Sequence, residues 1–273
     1  MTIRKIGNKI IVDTGKQEKT VYRVQIGKNG KPYVALDTVS TDVIHVSDGN
    51  SKTGPCLNFN FPVEMTCDHR CECYSSGKCY ACSGCYLFAS NQLQYAENLA
   101  FFRANSGEFV KAIQVAIDSA KKTLFRWFTC GDIPNMAFLS CMVEVARNNP
   151  TMKFWSYTKK YTIVNSWISE NGELPENLKI IFSHWLNDDG SYFPMENPYN
   201  LPTSEFIPFG KEQEAEKVTH VCPCSDPTKK VTCATCDHPC YTLNHGESMA
   251  LLEHSTSRTK ERDKAIKEAK NNL

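Results

Sequence analysis

Fourteen cysteines stand in 273 residues, and eleven of them fall in two short windows. The first window reads Cys67-x3-Cys71-x-Cys73-x5-Cys79-x2-Cys82-x2-Cys85. The second reads Cys222-x-Cys224-x8-Cys233-x2-Cys236-x3-Cys240, with His220, His238 and His245 nearby. Thiolates bind soft or borderline metals, and short steps between them let one loop wrap a single ion or an iron–sulfur cluster. In an exported chain the same cysteines would read as a disulfide framework. Residues 1–13 carry Arg4, Lys5 and Lys9 but no apolar core of about seven residues and no small-residue cleavage site, so they do not read as a signal peptide. The expected compartment is therefore the cytoplasm, with the thiols reduced and metal ligation as their chemistry.

Within the first window, Cys79, Cys82 and Cys85 have the C-x2-C-x2-C spacing of bacterial ferredoxins. A site built on three cysteines leaves one iron open to another ligand, whereas six cysteines also suffice for a four-thiolate site with two to spare. Ligand identity among the six stays open at this level. In the second window, four of the five cysteines suffice for a tetrahedral zinc or a four-iron cluster. A structural zinc there would contribute on the order of 10 kcal/mol to folding a region poor in apolar residues.

Around these windows the chain is ordinary for a globular protein, with 41% apolar and 11% aromatic residues. The charges nearly cancel, 31 Lys+Arg against 30 Asp+Glu, which removes whole-chain electrostatics as a reason to bind nucleic acid. No run approaches the roughly 18 apolar residues of a membrane span. Residues 1–45 alternate with period two (Val21 to Ile26, Tyr33 to Leu36) around a Gly27–Gly30 turn, and residues 1–54 read as a small N-terminal antiparallel β element. Residues 46–54 are polar and turn-rich and mark a boundary.

Residues 55–220 form the core. Leu57–Phe61 predicts a strand leading into the first window. Helical spacing follows over 92–105 and 108–121, then a strand at 124–128, a helix at 135–147, a strand at 153–157, a helix at 161–169 and a strand at 178–182. This alternation predicts an α/β fold, a partial (β/α) barrel with a parallel sheet whose strands present their carboxyl ends on one face. That face carries the chemistry in such folds. Beyond Ser183 the chain reads as a proline-rich loop. Residues 221–273 complete it as a cysteine-rich metal-binding region and a tail, in which Ser257–Lys270 holds six basic and three acidic residues at helical spacing. A solvated helix is the plain reading of that tail, and a nucleic-acid contact is the other.

Several residues at strand ends are candidates for the site. Arg126 alternates with Phe125, Trp127 and Phe128 and must be paired, which suits contact with a carboxylate or an anionic ligand. Cys130-Gly131-Asp132 ends the next strand. Asp132 reads either as a site carboxylate or, with Pro134 following, as part of a helix N-terminal signal. Lys159 and Lys160 end the third strand, read either with one of them, Lys159, facing the site or with both on the surface, and His184 ends the fourth, read as a ligand or substrate contact or as a structural residue. Cys130, Cys141 and His254 read as packed residues.

The stretch Phe125-Arg126-Trp127-Phe128-Thr129-Cys130-Gly131-Asp132-Ile133-Pro134, with Lys153 to Tyr161, Leu174 to Leu178, Thr66-Cys67 and Cys79-Tyr80-Ala81, resembles the gene product 88 family of phages and plasmids. The resemblance runs from about residue 56 to 254. That family in turn resembles radical S-adenosylmethionine (SAM) enzymes, in which three cysteines after the first strand hold a 4Fe-4S cluster and the open iron binds SAM. The resemblance implies Cys67, Cys71 or Cys73, and Cys79 as the cluster ligands. It implies Gly131 and Asp132 at the SAM amino group, and the convergence of Arg126, Asp132, Lys159 and His184 on strand ends marks these four as the catalytic candidates. The departure is the C-x3-C-x-C spacing, where radical SAM enzymes usually show C-x3-C-x2-C.

Two readings follow. One is an iron–sulfur, radical-SAM-like enzyme of unassigned substrate with a second metal site near the C-terminus. The other is a non-enzymatic zinc scaffold contacting nucleic acid through its basic tail. Gly-x-Ser-x-Gly, P-loop and His-Glu-x-x-His motifs are absent, which sets aside the corresponding hydrolase chemistries.

Overall fold

The computed structural model describes residues 1–6, 9–13, 19–26, 32–68, 73, 79–82, 84–186, 189–208, 210–225 and 229–253. Strands β1 (Thr2–Ile6), β2 (Lys9–Asp13) and β5 (Val43–Ser47) pair antiparallel, while β3 (Lys19–Ile26) and β4 (Pro32–Ser40) form a separate hairpin. The Gly27–Gly30 turn between those last two strands lies outside the described residues. Strand β5 meets β6 (Leu57–Phe59) through the pair Ser47–Asn58, so the N-terminal strands extend one edge of the main sheet. A single helical turn, α1 (Val63–Thr66), follows β6 and delivers the chain to Cys67.

From β6 onward every pairing is parallel. The order is β6, β7 (Leu124–Trp127), β8 (Lys153–Thr158), β9 (Leu178–Trp185), β10 (Thr203–Ile207), β12 (Ser248–Leu252) and β11 (His220–Val221). Helices α2 (Ala89–Ala104), α3 (Ser106–Ala120), α4 (Met136–Asn148) and α5 (Tyr161–Asn171) lie between strands β6 and β9 in the chain. The α/β expectation with a largely parallel sheet therefore holds. Among the described residues the ten-stranded order runs from β1 to β11, and it does not establish the partial barrel.

Alternation along the strands separates two faces. Phe125, Trp127, Phe154, Ile180 and Phe182 point toward the helices and join one large core. Helix α3 supplies Phe109, Ala112, Ile113, Ala116 and Ile117, the three-to-four spacing of a helix with one buried stripe. Phe138 of α4 anchors this layer: its ring lies 4.8–6.1 Å from those of Phe59, Phe61, Phe102, Phe109, Trp127 and Phe128. Such aromatic pairs add about 0.5–1.5 kcal/mol each beyond the burial of their area. Leu124, Trp155, Tyr157 and Ile181 face the other way, and the C-terminal cysteine segment packs on them.

Residues 203–207 differ from the expected proline-rich loop, and residues 248–252 lie beyond it. Both are strands, and Ser204, Met249 and Ala250 are fully buried between neighbours. No helix among the described residues is long and apolar enough to cross a membrane.

Candidate functional site

Two groups of cysteines meet the sheet, one at its carboxyl end and one on the face opposite the helices. The first is built by the turn after β6 and by the end of β7. Asn60 fixes that corner: its side-chain oxygen accepts from the backbone N–H of Thr129 (2.7 Å), the Thr129 hydroxyl (2.8 Å) and the backbone N–H of Cys130 (2.9 Å). The backbone N–H of Phe61 donates to the carbonyl of Cys130 at 3.1 Å. Gly131 then turns with φ +86°, and a Cβ there would sit 2.5 Å from the Phe61 carbonyl oxygen. Glycine is required at this close approach of two strand ends. Phe128, just before it, also holds a left-handed φ of 58°, and strained backbone of this kind persists only where its surroundings over-determine it.

Cys130 is consequently buried, in a cluster with Val63, Ala81 and Tyr95 against which Cys67 and Cys79 pack. Burial raises the Cys67 thiol far above the ordinary range, and the nearby Asp132, Cys79, Cys130 and Cys73 raise it further. Cys85 is exposed. Cys71 and the side chain of Cys82 lie outside the described residues. Cys130 is the packed strand-end thiol expected of it, and Cys67 and Cys79, far back in the chain, pack against its cluster.

Asp132 is buried at the end of β7 and ties β7 to β8. Its Oδ1 accepts from the Ile133 N–H (2.7 Å) and the Thr158 hydroxyl (2.6 Å), and its Oδ2 from the Lys159 N–H (3.0 Å). Burial raises its pKa, opposed by these three donors and by the Lys159 charge. The helix-cap role belongs instead to Asn135, whose side chain accepts from the Phe138 N–H at 2.9 Å. The Lys159 ammonium donates to the Ser183 hydroxyl at 3.0 Å and lies 5.2 Å from the Trp185 ring centroid. His184 does not join these groups. Period two turns it away from Ser183, its Nδ1 lies 3.0 Å from Glu205, and its ring stacks on Tyr192 at 4.3 Å.

The second group is larger. Cys222, Cys224, Cys233, Cys236 and Cys240 line one pocket with His238, Pro239, Trp155 and Met249. The loop after β5 receives this segment: the Cys233 N–H donates to the Lys52 carbonyl at 3.0 Å. A Cβ on Gly54 would lie 2.7 Å from the Thr232 hydroxyl. The polar stretch read as a boundary is thus a seat for the C-terminal window. From the sheet, the Tyr157 hydroxyl donates to the Cys240 sulfur at 2.7 Å, and the Arg126 guanidinium lies 5.0 Å from the Tyr157 ring centroid. Burial lifts the Cys240 thiol to about 12 against the pull of the Tyr157 hydroxyl. Cys233 is held below the ordinary thiol range by a hydrogen bond from Cys224 and by Arg126.

These donors suit a thiolate-held metal in kind and number. As placed, no three His, Cys, Asp or Glu among the described residues form a group that could hold a metal ion. Tetrahedral zinc, with Zn–S near 2.3 Å, draws its sulfurs to about 3.8 Å from one another, so the side chains would close further around an ion of that size. His254 and the basic tail lie outside the described residues.

Searches of curated proteins and of solved structures each gave no significant match. The gene product 88 family model matches residues 25–191, more than half of the chain, so that it starts within the N-terminal strands and stops before the second cysteine window. That span takes in the first window, Arg126, Gly131, Asp132, Lys159 and His184, and by it the chain belongs to the gene product 88 family.

Proposed function

We propose that this protein is an iron–sulfur protein with radical-SAM-like enzymatic activity, its first cysteine window holding a 4Fe-4S cluster and its C-terminal window a second metal. The observation that carries this reading is the packing of Cys67, Cys79 and Cys130 at the carboxyl ends of β6 and β7, with Asp132 close enough to act on Cys67. Six cysteines follow the first parallel strand in the sequence, and helices α2 to α5 pack on one face of the sheet.

A cluster with one iron free of protein thiolate, together with SAM, supplies one-electron chemistry that the side chains here do not. The chain's own contribution is positional. Gly131 lets the two strand ends approach, Asn60 pins the corner, and Asp132 offers a buried carboxylate held by three donors. Lys159 places an ammonium at the same strand ends.

A second reading, a zinc scaffold, is favoured by the character of the C-terminal window. Its regular structure consists of short 3-10 turns and the two-residue β11, so closing thiols on zinc would supply much of its folding energy. Anaerobic purification with iron, sulfide and zinc analysis separates the two. About four or eight irons per chain with matching sulfide, and SAM retained in equilibrium dialysis, are the expected results. Protein that holds about two zinc ions and takes up no iron on reconstitution overturns the enzyme reading and leaves the scaffold.

A further inference from the structure

A half-buried cation in a sheet needs a partner, and Arg126 has an uncommon one. Its Nε is buried with no hydrogen-bond partner, and among the described residues no carboxylate pairs with it. Beside the guanidinium stands the ring of Tyr157 at 5.0 Å, and Arg126 and Cys233 act on each other electrostatically. Tyr157 in turn donates to Cys240 at 2.7 Å. Side chains of adjacent strands, β7 and β8, thus meet at this pocket: Tyr157 bonds one of its sulfurs and Arg126 lies against the Tyr157 ring. Neutral thiols would leave the Arg126 charge uncompensated in a half-buried site, which is costly. A four-thiolate centre on a divalent metal carries a net negative charge and removes that cost.

We infer that Arg126 is the counter-charge of a thiolate centre in the C-terminal window and that Tyr157 is its hydrogen-bond donor, so that the sheet itself holds this centre. Both are positioning residues. The inference rests on the reading that the window binds metal through thiolates, and it reassigns Arg126 from a substrate contact to the metal's surroundings. Partners of metal-bound groups tune affinity strongly, and their loss typically costs about 10- to 100-fold.

The test uses the full-length chain, stripped of metal and titrated anaerobically with Co(II), whose sulfur-to-metal absorption reports bound thiolates. The bands lost in Cys240→Ala identify the C-terminal centre, and a competing chelator gives its affinity. Tyr157→Phe and Arg126→Met are each expected to weaken Co(II) there by about 10- to 100-fold with the thiolate bands unchanged in shape. Arg126→Lys should recover part of the loss, and Gln114→Ala, on the helical face, should match the parent chain. If Arg126→Met does not fold, Tyr157→Phe decides. Parent-like affinity in Tyr157→Phe overturns the inference while leaving the metal reading standing. A parent chain that develops no thiolate bands overturns the metal reading and the inference with it.

Discussion

The hydroxyl of Tyr157 donates a 2.7 Å hydrogen bond to the sulfur of Cys240, a residue 83 positions further along the chain. Through it the middle of the parallel sheet touches the C-terminal cysteine window directly. Buried side-chain contacts hold the strand ends of that sheet in place.

The first concerns Asn60. Its side-chain oxygen accepts from three buried donors at the end of β7. Asn60→Ala strands them, and unmade buried hydrogen bonds cost about 1–3 kcal/mol each. Urea denaturation should show a loss of about 3 kcal/mol. A loss below about 1 kcal/mol would show that solvent replaces the amide without penalty.

Gly131→Ala is expected to be more harmful than a surface glycine change. The added Cβ would stand 2.5 Å from the Phe61 carbonyl oxygen at φ +86°. Gly172→Ala is the control: its φ is +82° but no atom lies within 4 Å of the added Cβ. The melting temperature should fall further for Gly131→Ala than for Gly172→Ala. Equal falls would mean that backbone conformation alone, and not close approach, sets the requirement.

Cys141 gives a pH dependence away from either window. Burial raises its thiol to about 11, and Glu144 adds to the rise. Because only the thiolate is nucleophilic, iodoacetamide should modify Cys141 slowly at pH 8 and roughly tenfold faster per pH unit until that value is reached. Glu144→Gln removes a negative neighbour, lowers the pKa and speeds modification at pH 8. Peptide mass spectrometry reads the rate, and an unchanged rate in Glu144→Gln would exclude the carboxylate as a cause.

Glu205→Ala tests the separation of the two faces. Glu205 pairs with His184 at 3.0 Å and accepts from the Thr203 hydroxyl at 3.1 Å. Its loss should cost about 1–2 kcal/mol in stability and leave the metal content of the purified protein unchanged. Loss of metal in this variant would tie His184 to a metal centre after all.

How much of this was legible beforehand follows from period and distance. Helices α2 to α5 and strands β7 to β9 carry clear alternation, so their existence and parallel order could be read from residues 92–182. Strand β10 could not. Ser204 and Glu205 interrupt the apolar pattern, Pro202 and Pro208 flank it, and burial there comes from neighbouring strands rather than from the segment's own composition. Period two told that Ser183 and His184 oppose each other but not which one shares a face with Lys159. The cysteine windows were plain from spacing. Cys130, Tyr157 and Lys52 were not, because each reaches its window across a long stretch of chain.

The most direct measurement is iron, sulfide and zinc content in the anaerobically purified parent chain and in two double variants, Cys67→Ala/Cys79→Ala and Cys233→Ala/Cys236→Ala. Each variant should lose one centre and keep the other, so that the two losses together account for the parent's metal. A parent chain that binds neither iron nor zinc, or double variants that retain its full complement, would contradict the assignment of metal to these cysteines.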